Sequence, residues 1–273
     1  MRAGSWLLRG PAVALSLGVY FALAPFGYAV FMGLLRPTRD PLRRAQRVHQ
    51  VLHRAFRLFH GWLRGLRVLR FQPGGVDLSS LPPGPCVWVA NHPTLTDVTA
   101  IIATLGGACT VVKPRLFRAW WIRPLMEGAQ HIEGARSHLD TRRVLQEAVH
   151  RLEQGLPVLV FPEGTRSPPD KISPFGRGAF EIACRANVPL VPLLLRCDPP
   201  FLTKEVPLYR LPQSTPQLQL TVLPALDPAL YANDSRRLRD ATESLYRRLL
   251  DPPCARALTG LTRTTDAPKS EIH

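Results

Sequence analysis

Two short stretches carry the side chains in this sequence that could do chemistry. The first, Asn91-His92-Pro93-Thr94-Leu95-Thr96-Asp97, sets an imidazole and a carboxylate five positions apart. A carboxylate that accepts from one ring nitrogen fixes the tautomer and leaves the other nitrogen to take a proton from an alcohol. In a chain of this composition a His-x-x-x-x-Asp spacing arises by chance about 0.3 times. The spacing alone therefore does not separate a catalytic pair from a capped helix beside a surface histidine. The second stretch is Phe161-Pro162-Glu163-Gly164-Thr165-Arg166-Ser167. Gly164 permits a tight turn, Arg166 offers a planar fork for a phosphate or carboxylate, and Thr165 and Ser167 add donors. Glu163 either holds the guanidinium or binds an acceptor; a purely structural Glu–Arg pair in a strand-end loop is the competing reading.

The surrounding pattern says what must position these groups. Short apolar runs predict strands over 67–71, 86–90, 109–112, 130–133, 157–161, 188–195 and 217–223. Helical stretches are predicted over 96–104, 115–126, 140–154, 176–186 and 235–250. This alternation argues for an α/β domain with a mixed, mostly buried sheet flanked by helices, some of its strands antiparallel. His92 then lies just past the carboxyl end of a strand, with Thr94 or Thr96 capping the next helix and Asp97 in its first turn. The second stretch also leaves a strand. Open α/β sheets gather their functional groups at such strand ends. Proline and glycine cluster at 72–85 and 162–176, which read as loops.

Composition bounds the partners. A hydrophobic content of 45% excludes a disordered chain, and the formal charge of +15 asks for an anionic partner. Ten arginines between Arg36 and Arg70 face the single acid Asp40, so more than half of the net charge sits in one short belt. The belt follows Pro11–Leu35, a run without any charged residue that is long enough to span a bilayer with a kink at Pro25. A polybasic segment beside such a run points to anionic membrane lipids, and its position puts the rest of the chain in the cytoplasm. No zinc-finger spacing or aromatic RNA-binding signature accompanies the charge, so nucleic acid is set aside. The rivals to a full span are a cleaved signal peptide, disfavoured by Pro25 and the continuing apolar run, and a re-entrant anchor bent at Pro25.

Over 42–66, Ala45, Val48, Leu52, Ala55, Phe56, Phe59, Trp62 and Leu66 recur at helical steps, with arginines, His49, His53 and His60 filling the remainder. This predicts a basic amphipathic helix in the lipid interface, the alternative being a surface helix packed on the catalytic core. Tryptophans and arginines in 115–126 allow a second interfacial element or a core helix. The expected organisation is thus 1–40 membrane anchor, 41–66 interfacial helix, 67–250 catalytic domain and 251–273 flexible tail. Five widely spaced cysteines, an odd number without a Cys-x-x-Cys pair, form neither a disulfide framework nor a zinc site.

The two stretches, in this order and followed by Val188-Pro189-Leu190-Val191-Pro192, resemble the signature blocks of the lysophospholipid/glycerol-phosphate acyltransferases, which include the bacterial 1-acylglycerol-3-phosphate acyltransferases. The resemblance covers roughly 67–225, and the apolar N-terminal run also suits the family. It implies a glycerolipid acyltransferase-like fold preceded by a membrane-anchoring helical segment. It further implies a bacterial inner-membrane enzyme with its catalytic domain on the cytoplasmic face. The donor would be acyl-CoA or acyl carrier protein and the acceptor a lysophospholipid, with no cofactor, metal or acyl-enzyme. His92 would act as general base and Asp97 would orient it. Glu163, Gly164, Thr165 and Arg166 would hold the acceptor, joined by Lys113, which matches a lysine often found after the family's third strand.

Two departures bear on the acceptor. Gly134 stands where the family usually carries a phosphate-binding arginine, with Arg136 out of register, and Thr94 replaces a common serine. The run Arg196–Lys204 with Tyr209-Arg210 resembles acyltransferases of aryl polyene-type gene clusters, which implies an unusual acyl donor on a carrier protein. Of the other classes, a hydrolase would need a nucleophile, and the chain holds no Gly-x-Ser-x-Gly elbow. A non-catalytic membrane adaptor would leave the paired motifs an accident.

Overall fold

All seven expected strands form. They are β1 (Arg70–Pro73), β2 (Val87–Ala90), β3 (Cys109–Val112), β4 (Ile132–Glu133), β5 (Val158–Val160), β6 (Leu190–Asp198) and β7 (Gln217–Val222). The helices are α1 (Pro41–Gly65), α2 (Asp97–Leu105), α3 (Pro114–Phe117), α4 (Arg123–Gly128), α5 (Asp140–Glu153), α6 (Gly178–Ala186) and α7 (Ser235–Leu250), with a 3-10 turn at Pro228–Tyr231. The computed structural model describes residues 10–16, 18, 39–73, 81–135, 137, 140–168, 171–204 and 212–250. Most of the expected anchor run, the expected tail 251–273, Arg136 and Tyr209-Arg210 lie outside the described residues. Residues 10–16 are helical. Among the described residues no helix is long and apolar enough to cross a membrane.

The strands make one sheet in the order β1-β7-β6-β2-β5-β3-β4. Its pairs are parallel except β6 with β7, which is the antiparallel element the alternation allowed. Crossover helices cover both faces, so the central strands read as continuous apolar runs. Val87 and Val89 of β2 join one cluster with Leu152 of α5, Phe180 of α6 and Tyr246 of α7. Trp88 and Ala90 join the other with Ala100 and Ile101 of α2 and Leu63 of α1. The buried Tyr246 hydroxyl lies 2.8 Å from the Val89 carbonyl and 2.9 Å from that of Leu193, tying α7 to the two central strands.

α1 begins at an Asp40 cap, whose carboxylate accepts from the Leu42 N–H at 2.9 Å, with Pro41 in the first turn where no N–H is needed. It packs on α2, α4 and β1. Its buried face differs from the one drawn through the apolar residues. Ala45, Val48 and Leu63 are buried together with His49 and His60, whereas Ala55 and Trp62 are exposed. The histidines pack because each N–H finds an acceptor. His49 Nε2 donates to the Ala129 carbonyl (2.9 Å), His53 Nδ1 to Ile102 (2.7 Å) and His60 Nε2 to Thr99 Oγ1 (3.0 Å). An imidazole that stays neutral is a modest burden in a core once it is hydrogen-bonded. The approach is close enough that a Cβ on Gly107 would sit 2.0 Å from His49 Cβ.

The expected single helix over 115–126 is broken into α3 and α4. Pro124 has no N–H, and its ring would meet the carbonyl four residues back, so the helix restarts there instead of continuing. The intervening Trp120 is 85% exposed, which rules out a core role for it.

Burial without a charged partner pushes His60 down to about 4 and His131 down to about 3, and His49 is lowered for the same reason despite its bond to Ala129. His131 Nδ1 accepts the Thr110 N–H at 3.1 Å and its ring stacks on His49. These groups charge in the unfolded chain near pH 6.5 and in the folded chain only at lower pH, His60 at about 4 and His131 at about 3. Their contribution is therefore complete above that pH and is lost as pH falls toward 4, at about 1.4 kcal/mol per pH unit for each group inside its window. Thermal unfolding in detergent should show a lower Tm at pH 5 than at pH 7.5, and His60→Gln should flatten that dependence.

Candidate active site

β2 and β5 lie side by side with Val89 level with Val160, so the two motif loops leave the sheet at the same height on neighbouring strands. Asn91 ends β2 in an unusual way. Its side-chain Nδ2 donates to the Leu195 carbonyl and its Oδ1 accepts the Leu195 N–H, both at 2.8 Å. The amide thus takes over the ladder to β6 after the backbone has stopped pairing. The chain is free to turn away, and β6 keeps its bonds.

His92 follows directly. Its Nδ1–H donates to Asp97 Oδ2 at 2.8 Å, which leaves Nε2 as the basic nitrogen. The His92 side chain is 20% exposed and that of Asp97 is fully buried. Phe161, at the end of β5, packs its ring on the imidazole with centroids 4.4 Å apart. Asp97 also accepts the Thr94 N–H on Oδ2 (2.8 Å) and the Thr94 hydroxyl on Oδ1 (2.5 Å). Burial pushes the Asp97 carboxyl up from its ordinary range, while the bond and charge of His92 and the two Thr94 donors oppose that rise. Thr96 occupies the cap position of α2 but makes no side-chain cap bond. Neither threonine caps the helix as expected. Thr94 Oγ1 instead accepts the Thr96 N–H (3.2 Å) while donating to Asp97.

The second loop is joined to the first through the backbone. Ser167 N–H donates to the His92 carbonyl at 2.8 Å, and His92 N–H faces both Ser167 Oγ and Glu163 Oε1 at 3.2 Å. Ser167 Oγ donates to Glu163 Oε1 (2.5 Å), and Ser173 N–H donates to Glu163 Oε2 (2.7 Å). Arg166 Nη1 donates to the carbonyls of Leu202 (2.9 Å) and Thr203 (3.1 Å), so the guanidinium is held by the loop after β6 and not by Glu163. The Leu95 N–H meets the same Leu202 carbonyl at 3.1 Å. Gly164 is exposed and turns at φ +67, which glycine adopts without strain, and Thr165 beside it is half-buried.

The structure therefore brings His92, Asp97, Glu163 and Ser167 into one network, with Arg166 on its flank. Lys113 stands apart from it, exposed past the end of β3, one strand beyond β5 on the same edge of the sheet. Gly134 lies level with it, its N–H donating to the Val112 carbonyl at 2.8 Å. A Cβ at 134 would stand 3.1 Å from that carbonyl oxygen, a tight contact that a shift of a few tenths of an ångström would relieve. Sequence reasoning had no role for Asn91 or Ser173, and it aimed Ser167 at a ligand although this residue is buried. A polar residue directly after an apolar strand was the available signal for Asn91; Ser173 acts through its backbone, which no residue type announces. Among the described residues no cluster of His, Cys, Asp and Glu could hold a metal ion.

The chain, with its sheet and the His92–Asp97 pair at the end of a central strand, is similar to several known proteins. Residues 76–196 match the family model described as Acyltransferase. It is 32% identical over 151 residues to the human 1-acyl-sn-glycerol-3-phosphate acyltransferase alpha, covering 52% of this chain and 50% of that one. It is 31% identical over 128 residues to the chloroplastic 1-acyl-sn-glycerol-3-phosphate acyltransferase BAT2 of Brassica napus, covering 43% of this chain and 35% of the relative. The aligned stretch thus spans half or less of the length of these relatives. The crystal structure of the 1-acyl-sn-glycerophosphate acyltransferase PlsC from Thermotoga maritima shares the fold. Its TM-score is 0.72 at 21% identity, over 91% of this chain and 96% of that one.

The bonds around Asp97 predict the cost of its loss. All three groups facing it are donors, and an asparagine would present its NH2 to one of them. Asp97→Asn should lower kcat about 10²–10⁴-fold, with the wrong tautomer of His92 the cause. Acyl transfer from a labelled thioester, compared with the wild type at equal folded fraction, measures it.

Proposed function

We propose that this chain transfers an acyl group from a thioester, acyl-CoA or acyl carrier protein, to the free hydroxyl of a lysophospholipid such as 1-acylglycerol-3-phosphate. The observation that carries this reading is the 2.8 Å His92–Asp97 bond, which commits Nδ1 and leaves Nε2 for the substrate. In this mechanism Nε2 takes the proton of the acceptor hydroxyl as its oxygen attacks the thioester carbonyl. The tetrahedral intermediate collapses by breaking the C–S bond, and the imidazolium returns its proton to the leaving thiolate. Buried Asp97 orients the ring and balances its positive charge in the transition state. The chemistry asks for no metal, cofactor or acyl-enzyme. The names of the relatives support the acceptor class.

Glu163, Gly164, Thr165 and Arg166 are the proposed contacts of the head group, with Lys113 adding charge from the neighbouring strand end. A second reading of the acceptor has its own observation. Gly134 offers no side chain to a phosphate, and a Cβ there would stand 3.1 Å from the Val112 carbonyl oxygen. This favours an acceptor other than the simple glycerol phosphate, as the resemblance to aryl polyene-type acyltransferases would require.

The reading places the enzyme on a bacterial inner membrane with its catalytic domain toward the cytoplasm, held by the apolar run Pro11–Leu35. Exposed Val51, Leu58 and Trp62 on α1, with the exposed Leu116 and Trp120 near α3, support contact with a lipid surface. The arginines of α1 suit anionic head groups.

His92→Ala should reduce transfer from a labelled thioester about 10²–10⁴-fold while sedimentation with membranes is unchanged; normal turnover would refute the mechanism. Arg166→Ala should raise the acceptor KM about tenfold or more, as expected when a charged hydrogen bond is lost. A change confined to the donor KM would contradict the assignment.

A further inference from the structure

We infer that His60 and Thr99 are positioning residues for the His92–Asp97 pair: through them α1 holds the first turn of α2, the turn that carries Asp97. The inference rests on the general-base role proposed for His92. The connecting bonds are few. His60 Nε2 lies 3.0 Å from Thr99 Oγ1, and Thr99 Oγ1 donates to the Thr96 carbonyl at 2.7 Å. A hydroxyl has one proton to give. Thr99 gives its proton to Thr96, so its oxygen accepts from His60, and the proton of that imidazole sits on Nε2. Thr96 is joined onward to the pair. Its N–H donates to Thr94 Oγ1 at 3.2 Å, and Thr94 holds Asp97 with both its N–H and its hydroxyl. His60 is thus linked to His92 through Thr99, Thr96, Thr94 and Asp97.

The arrangement answers a weakness in the site. Asp97 is the first residue of α2, and Thr96 at the cap position makes no side-chain cap bond. The first turn of a helix has no intrahelical acceptors for its N–H groups and is where fraying begins. The Thr99 hydroxyl closes that turn from inside, beside the Ala100 N–H that meets the same Thr96 carbonyl at 2.9 Å. A helical threonine has two accessible side-chain rotamers, and the His60 N–H favours the one that reaches Thr96. At the other end of α2, His53 Nδ1 donates to the Ile102 carbonyl at 2.7 Å, so α1 clips this helix at both ends. The His60 ring is buried beside Phe59 and Phe71, with centroids 5.8 and 4.9 Å away. Its Nδ1 is buried without a hydrogen-bond partner among the described residues. Packing alone would be served by an apolar side chain; what the imidazole adds is a donor fixed at Nε2.

Paired substitutions test this. Thr99→Val keeps the shape and removes the hydroxyl, and His60→Leu keeps a buried side chain and removes the donor. Each should lower kcat about tenfold, the scale of a base displaced by a fraction of an ångström. The KM of donor and of acceptor should stay within about twofold of the wild type. His60→Gln, which offers an amide N–H in place of Nε2, and Thr99→Ser, which keeps the hydroxyl, should hold kcat within about threefold because the bond survives. The double variant His60→Leu/Thr99→Val should be no slower than the slower single one, since both cut one chain of bonds. Rates are compared at equal folded fraction, with Tm recorded for each variant. Wild-type kcat in Thr99→Val and His60→Leu would overturn the inference. So would equal losses in the conservative variants, a raised KM with kcat retained, or unfolding that accounts for the lost activity. His92→Ala assayed alongside separates the two levels: full turnover there refutes the base itself. An inactive His92→Ala beside fully active His60 and Thr99 variants refutes only the link to α1.

Discussion

The arrangement of the site depends on a carboxylate taken completely out of water. Asp97 has no exposure, and a buried ionisable group must either find donors or give up its charge. It finds three, in Thr94 N–H, Thr94 Oγ–H and His92 Nδ1–H. Meeting that demand folds the segment between β2 and α2 into a tight turn. It places a negative group at the N-terminus of α2, where the helix dipole favours it, and it chooses which imidazole nitrogen carries the proton. One electrostatic requirement therefore sets the local backbone, the start of a helix and the tautomer of His92.

The second requirement is that strands can end without orphaning their neighbours. β2 stops at Ala90, yet β6 continues to Asp198. The Asn91 amide supplies the missing donor and acceptor to Leu195, so the central sheet stays satisfied while the chain turns away from it at His92. The loop after β6 then folds back, and Leu202 offers its carbonyl to both Leu95 N–H and Arg166. Three loops from three adjacent strands are bound to one another by backbone groups as much as by side chains. The three loops are cross-linked for that reason, and the supporting layer is hard to recognise in a list of residue types.

Much of the fold was legible because its causes are local. A strand buried on both faces must be an apolar run, and all seven runs became strands within a few residues of their expected limits. Legibility failed where a residue's environment came from elsewhere in the chain. His49 and His60 look polar in α1, and only the carbonyl of Ala129 and the hydroxyl of Thr99 make them core residues. Glu163 and Arg166 look like an ion pair three positions apart, yet Glu163 is drawn to His92, Ser167 and Ser173, and Arg166 to Leu202 and Thr203. The break between α3 and α4 was within reach, since Pro124 announces it; the periodicity of the apolar residues across it concealed the stop.

By itself the sequence determined the chemistry on offer: an imidazole and a carboxylate at the start of one helix, a glycine-turned loop with a guanidinium after another strand, and the class of reaction those groups suit. These follow from residue type and short spacing, which act over a single turn of chain. Only the tertiary structure decided which groups meet: Glu163 faces His92, Ser167 and Ser173, whereas Arg166 faces Leu202 and Thr203. Lone pairs and N–H groups are claimed by whatever lies within about 3 Å, and the strand order β6-β2-β5 brings those claimants together from stretches of chain some 70 to 100 residues apart.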